Sequence, residues 1–279
     1  LHFSGAEQIR AEDFMTRLFS KSIIAPNQGL FTLDEADSKY LTDVLRMRIG
    51  DTVILCDACR IEYTGIISGM AQKIVTLTIS GYRKSEADPP YIASLFQGLA
   101  KGERMDFAIQ KSVELGVAGI VPVSCIRSIV KIKANDVPSK TSRWQKIAEE
   151  AARQSGRGYI PEVFAPKTFE DAILSATGNN DLVLIPWEEE TAVSLPDILE
   201  KFAERSGFSG KAGKVGGSGA DVLPQIAIFI GPEGGFDRKE IEFAVSHGAT
   251  AVSLGKRILR TETAGIAVLS MLLYRLELL

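Results

Sequence analysis

The chain has 279 residues, 45% of them hydrophobic and 24% charged, with a formal net charge of -3. That composition is globular and long enough for two domains, and it excludes a disordered polyelectrolyte or a uniformly basic protein. Three cysteines, an odd number, make no disulfide framework, and the chain reads as intracellular and cytoplasmic.

The average charge hides an asymmetry. From Lys101 to Arg157 there are 11 Lys/Arg against 6 Asp/Glu, so the rest of the chain is acidic. A local basic segment can still hold a phosphate backbone, because that attraction is short-ranged in salt. No signal peptide is read ahead of the first strands. The most apolar run, Ala264–Tyr274, is too short to span a bilayer, which needs roughly 20 residues. It reads as a buried helix, and no membrane partner is expected.

Taken in order, residues 1–14 carry little pattern and read as an extension. From 15 to 84 the chain reads as a small β-barrel domain. Its strands are Asp51–Asp57, Ile61–Ser68 and Lys73–Tyr82, β-branched and separated by turn residues. One helix interrupts them, Asp34–Met47, with Tyr40, Leu41, Val44 and Leu45 on its apolar face. Lys84–Pro90 is a charged, proline-ended hinge. From 90 to 279 the period changes. Strands are expected at Tyr91–Gly98, Gly119–Val123, Asp181–Pro186, Gln225–Ile230 and Ala249–Leu254. Helices are expected at Glu103–Leu115, Lys140–Gly156, Phe169–Ala176 and Leu195–Arg205. Alternating strands and helices imply an α/β domain with a parallel sheet covered on both faces. Ser206–Asp221, rich in Gly, Ser and Lys, reads as a flexible surface loop; its Gly-Lys pairs lack the spacing and the feeding strand of a phosphate-binding loop.

Two loops stand out. Gly231-Pro232-Glu233-Gly234-Gly235-Phe236 follows an apolar strand directly, and Asp237 with Glu240 forms a capping-box pattern for the next helix. Glycines there let the backbone approach a ligand closely. Leu254-Gly255-Lys256-Arg257-Ile258-Leu259-Arg260-Thr261-Glu262-Thr263 follows the next strand. Thr261 suits an N-cap and Glu262 suits the positive end of a helix. Capping alone does not explain two arginines, so the pair reads as two walls of one ligand site at the carboxyl ends of strands. Cys56 and Cys59 have metal spacing but no second pair, and read as structural. His2 and His247 build no triad or metal cluster; no metal is expected.

The stretches Leu99–Val123, Glu149–Val163, Ile230–Phe236 and Ser253–Ala264 together resemble the SPOUT-superfamily methyltransferases, specifically the 16S ribosomal RNA (uracil-N3)-methyltransferase family. Tyr40–Asp57 resembles that family's PUA-like barrel. The resemblance implies a C-terminal trefoil knot, bound S-adenosylmethionine as methyl donor, a homodimer, and 16S rRNA of the small ribosomal subunit as partner. Carried onto this sequence, the donor pocket uses Leu184, Ile185 and Pro186, then Gly231, Glu233, Gly234 and Gly235, then Leu254, Gly255, Leu259 and Arg260. Methylating a protonated imide nitrogen calls for an exposed base, charge stabilisation and in-line geometry. Arg260 is expected to supply the charge, with Arg104 or Arg127 helping; Glu233 and Glu262 are the nearest carboxylates for a general base. RNA is expected along the barrel and the basic face, at Arg127, Lys131, Arg153, Gln154 and Arg157. The competing readings are an RNA-binding protein without catalysis, which would not bind the donor, and an α/β nucleotide-binding enzyme.

Overall fold

A computed structural model describes residues 16–25, 28–207 and 223–278. The expectations for residues 1–14 and for most of 206–221 fall outside them. The chain divides into two compact units. The first is Leu1–Asp88 with Ala152–Ile160, and the second is Pro89–Ala151 with Pro161–Leu279. The break at 88/89 lies inside the charged hinge. The return of 152–160 to the first unit has no local signature in the sequence.

The first unit is a five-stranded sheet in the order β1-β3-β4-β5-β2, where β1 is Arg17–Phe19, β2 Leu30–Thr32, β3 Thr52–Cys56, β4 Ile61–Ala71 and β5 Ile74–Lys84. β1 joins β3 in parallel, and the other ladders are antiparallel. No ladder joins the two end strands among the described residues, so the expected barrel is seen here as a sheet. Alternation decides the core: Val53, Leu55, Tyr63, Ile67, Val75 and Leu77 point inward with Leu18 and Leu41. The expected helix over 34–47 is instead α1, Glu35–Lys39, followed by a π turn over Tyr40–Val44. The wider turn changes which residues face in: Leu41 is buried, whereas Val44 and Leu45 are exposed.

Arg157 corrects one expectation. It lies beyond the end of its helix and is only 1% exposed, so it does not share a solvent face with Gln154. Its Nε donates to Asp88 Oδ1 at 2.7 Å and its guanidinium stacks on Tyr159. Asp88 is itself nearly covered. Gly158 leaves room for this contact, since a Cβ there would sit 2.5 Å from Ser85 Cβ and 2.7 Å from Asp88 Oδ2. Arg157 therefore holds residues 155–160 to 85–88 and offers no charge to RNA.

The second unit is a parallel sheet ordered β12-β10-β11-β6-β7-β8, with β9 also on β7. Here β6 is Ile92–Gly98, β7 Gly119–Ser124, β8 Glu162–Val163, β9 Lys167–Thr168, β10 Leu182–Pro186, β11 Gln225–Ile230 and β12 Thr250–Val252. The helices are α2 Glu103–Glu114, α3 Val137–Gln154, α4 Phe169–Asn179, α5 Leu195–Arg205, α6 Arg238–Ser246 and α7 Thr261–Leu273, the last continued by a π turn over Tyr274–Leu278. β11 is buried along nearly its whole length, as a central parallel strand requires. α7 packs on α2, β11 and β6. One of its faces is covered (Gly265, Val268, Leu269, Leu272), whereas Met271 and Tyr274 are exposed, so the helix is half-buried rather than buried. No helix among the described residues is long and apolar enough to cross a membrane.

Arg157→Met should expose the role of the buried pair. It keeps an aliphatic stem but leaves Asp88 unpaired, a change that costs about 3–5 kcal/mol for a buried ion pair. Urea unfolding monitored by far-UV circular dichroism measures it, and a loss below about 1 kcal/mol, the scale of an exposed pair, would refute the structural role.

Candidate active site

Three loops leave the carboxyl ends of β10, β11 and β12 and bound one cleft of about 920 Å³. An open parallel sheet places ligands at this edge, near the point where strand order changes direction. The strand order does change here: β7 and β8 lie to one side of β6, and β11, β10 and β12 lie to the other.

The first wall is 231–236. Phe236 drops into the core, 5.6 Å from Phe169, which meets Phe229, itself stacked on Phe96 at 4.4 Å. Such aromatic pairs add about 0.5–1.5 kcal/mol each beyond their buried area. Gly235 turns the chain at φ +69°, its N–H donating to Pro232 O at 2.9 Å. A Cβ on Gly235 would come 2.6 Å from Glu188 Oε1. Gly98, at the end of β6, is closer still: a Cβ there would lie 2.5 Å from Pro232 N, so only glycine lets the loop seat on the strand.

Asp237 begins α6 with the expected capping box. Its carboxylate accepts from Lys239 N, and Glu240 Oε2 accepts from Asp237 N at 2.8 Å. Glu240 Oε1 also accepts from Ile126 N at 2.8 Å, which ties the segment after β7 to the underside of the loop. Burial pushes the Glu240 carboxyl above its ordinary value despite these two donors. Arg127 braces the outer side, its Nη2 3.3 Å from Asp237 Oδ2 and its Nη1 3.4 Å from Gly234 O.

The second wall, 253–260, leads into α7. Arg260 is the N-cap residue, without a side-chain cap, and its side chain is exposed on the cleft. Thr261 is not the N-cap it was expected to be. Its hydroxyl donates to Gly231 O at 2.6 Å and accepts from Gln97 Nε2 at 2.8 Å, so it joins the two walls.

Arg104, at the start of α2, stands between the two expected carboxylates. Its Nη1 is 2.9 Å from Glu233 Oε1 and its Nε 4.0 Å from Glu262 Oε1. Glu233 Oε1 also accepts from Lys101 N at 2.8 Å. Burial opposes ionisation of Glu233, but these donors outweigh it and hold its carboxyl below the usual range. A carboxylate held as an anion by an arginine is a weak proton acceptor, so Glu233 is poorly suited to act as a general base.

The cleft thus brings together Pro186, Gly231, Glu233, Gly234, Gly235, Leu254, Gly255, Leu259, Arg260, Arg104 and Glu262. It does not include Leu184 or Ile185, which are fully buried inside β10; only the last residue of that strand reaches the cleft. Lys131 is exposed in the second unit. Arg153 and Gln154 belong to the first unit, where Arg153 stacks on Tyr40 and Gln154 is exposed. The third wall was missed. Trp187, Glu188, Glu190 and Thr191 line it, directly after the strand Leu182–Pro186. Its signal was position alone, a third loop at a strand's carboxyl end. Backbone N–H groups of Val193 and Ala192 hold the Glu190 carboxyl below its usual range and so fix that loop. Among the described residues, no group of three or more His, Cys, Asp or Glu is placed to hold a metal ion.

The family described as the RNA methyltransferase domain matches residues 88–273. This chain belongs to that family. The RNA methyltransferase PUA domain matches residues 33–80. The chain is 30% identical over 249 residues to the ribosomal RNA small subunit methyltransferase E of Bacillus subtilis, covering 89% of this chain and 91% of that protein. It is 31% identical over 262 residues to the protein of that name from Synechocystis, covering 91% and 77%. The crystal structure of the Neisseria gonorrhoeae ribosomal RNA small subunit methyltransferase E bound to S-adenosyl methionine superposes with a TM-score of 0.76 at 29% identity, covering 93% and 97%.

The lowered Glu233 carboxyl gives the cleft an acid limit. A depressed folded value adds stability above the ordinary value of 4.5, and that stability is lost as pH falls through the folded value. The wild type should therefore lose stability relative to Arg104→Gln below pH 4.5, with the difference between them constant from there to neutrality. Denaturant unfolding across pH checks this, and a difference that does not vary with pH would contradict the assignment.

Proposed function

We propose that this RNA methyltransferase transfers a methyl group from S-adenosylmethionine to N3 of a uridine in 16S rRNA of the small ribosomal subunit. The observation that carries the reading is a cleft in which glycine-rich main chain, an apolar lining and Arg260 converge.

The lining fits the donor. Pro186, Ile230, Leu254 and Leu259 offer an apolar slot, and Gly231, Gly234 and Gly235 offer main-chain polar groups without side chains in the way. Bound there, the donor supplies an electrophilic methyl group on sulfur. The rest falls to this chain's residues. Arg260, exposed on the cleft, faces the uracil and stabilises the negative charge left when N3 loses its proton. Arg104 holds Glu233 and Glu262 in place beside it. Glu262, at 4.0 Å from Arg104, is the looser of the two carboxylates and the better placed to receive the N3 proton. The base must leave its stack to reach this depth.

RNA runs from the cleft over Arg127 and Lys131 and is also held by the PUA-like unit, through Arg153 and Gln154. The enzyme acts as a homodimer. Ala267, Met271, Tyr274 and Leu278 recur at helical spacing along α7 and its extension, and the last three are exposed, which favours a partner helix there. The path from β12 at the sheet edge back to α7 over β11 and β6 supports the knotted topology. The assembly works in the cytoplasm.

Calorimetry should show binding of S-adenosylmethionine and none of ATP. Arg260→Ala should keep donor binding while methyl transfer to small-subunit RNA falls by about 10²–10³-fold, the usual loss for one charge-stabilising donor. Normal turnover in that variant would remove Arg260 from the reaction.

A further inference from the structure

Gln97 is a fully buried amide in a strand that is otherwise mostly apolar (Ile92–Gly98). Its Nε2 donates to Thr261 Oγ1 at 2.8 Å and to Gly98 O at 3.2 Å, while its Oε1 is buried without a hydrogen bond. An apolar side chain would fill the same space without burying an unmet acceptor, so packing does not account for a glutamine here. Its contact with Thr261 does. A hydroxyl has one proton, and the amide donating to its oxygen directs that proton onto Gly231 O, 2.6 Å away.

We propose that Gln97 and Thr261 are positioning residues for methyl transfer, the amide fixing the threonine hydroxyl on Gly231 and so setting Arg260 and Glu262 against the glycine loop. The inference rests on the methyltransferase reading above. Thr261 lies between Arg260 and Glu262 in sequence, and both line the cleft. Any shift of the threonine carries both side chains with it. The glycine loop, by contrast, has anchors of its own: the turn at Gly235, Phe236 in the core, the Asp237–Glu240 capping box, and Glu233 on Lys101 N. Losing the threonine contact should therefore leave donor binding in place and misalign the reacting groups. A misplacement of about 1 Å is enough to cost about 10²-fold in rate.

The test compares Thr261→Val, Thr261→Ser and Gln97→Met in the full chain. Valine keeps the shape and loses the hydroxyl; serine keeps the hydroxyl. Thr261→Val and Gln97→Met should lower kcat by about 10- to 100-fold with the donor Kd little changed, and Thr261→Ser should restore kcat. Amide hydrogen exchange should rise in 257–263 of the valine and methionine variants and stay unchanged in 237–246. The proposal is overturned if serine and valine behave alike, if Kd and kcat worsen together, or if exchange in 257–263 does not move. Should the valine protein fail to fold, Gln97→Met carries the same comparison. Exchange needs no turnover, so an inactive wild type would sink the methyltransferase reading while the exchange result still decides the positioning role.

Discussion

One hydroxyl joins three distant parts of the chain. Thr261 accepts from Gln97 at the end of β6 and donates to Gly231 just past β11, while its own residue opens α7. The second wall is fixed to the glycine loop at this point. Gly98 must be glycine because Pro232 sits on it, whereas a Cβ on buried Gly265 would make only ordinary contacts with Leu95, Ile230 and Gln97. The contact with Gln97 is buried, where a hydrogen bond is stronger and its loss costs more. Everything that faces the cleft from the second wall is placed relative to it.

Several of the charges around the cleft are held in place by partners. Arg104 is shared between Glu233 and Glu262, Arg127 is taken by Asp237, and Glu190 is held by backbone amides. Lys256, Arg257 and Arg260 differ: all three are exposed on the second wall and make no ion pair among the described residues. Fixed dipoles cost no reorganisation when charge develops, which suits chemistry that creates an anion in the cleft.

Much of this was legible in the residues. A short, β-branched apolar run such as Gln225–Ile230 fits a central parallel strand, and glycine with a capping box directly after it points to a ligand loop. The rest was not legible, for identifiable reasons. β1, β2, β8 and β9 have two or three residues each, too few for a period to show. Threonine at the start of a helix looks like a cap whether its hydroxyl turns to the helix or away, and only tertiary contacts decide. An arginine after a helix looks solvated until Asp88, 69 residues earlier, is brought beside it. Leu184 and Ile185 share a strand with Pro186, and only the folded sheet shows that their side chains are fully buried while Pro186 lines the cleft.

The strand order has a bearing on how the chain comes off the ribosome. β10 pairs with β11 and β12 and with no earlier strand among the described residues. Until β11 is available, β6 has an unpaired edge on a half-built sheet and β10 cannot join it, having no earlier partner strand among the described residues. β11 then closes the gap as an inserted strand rather than an added one. Such an interval exposes sticky strand edges in a crowded setting. Completing β11, which leads directly into the glycine loop, closes the β6 edge and one edge of β10 together.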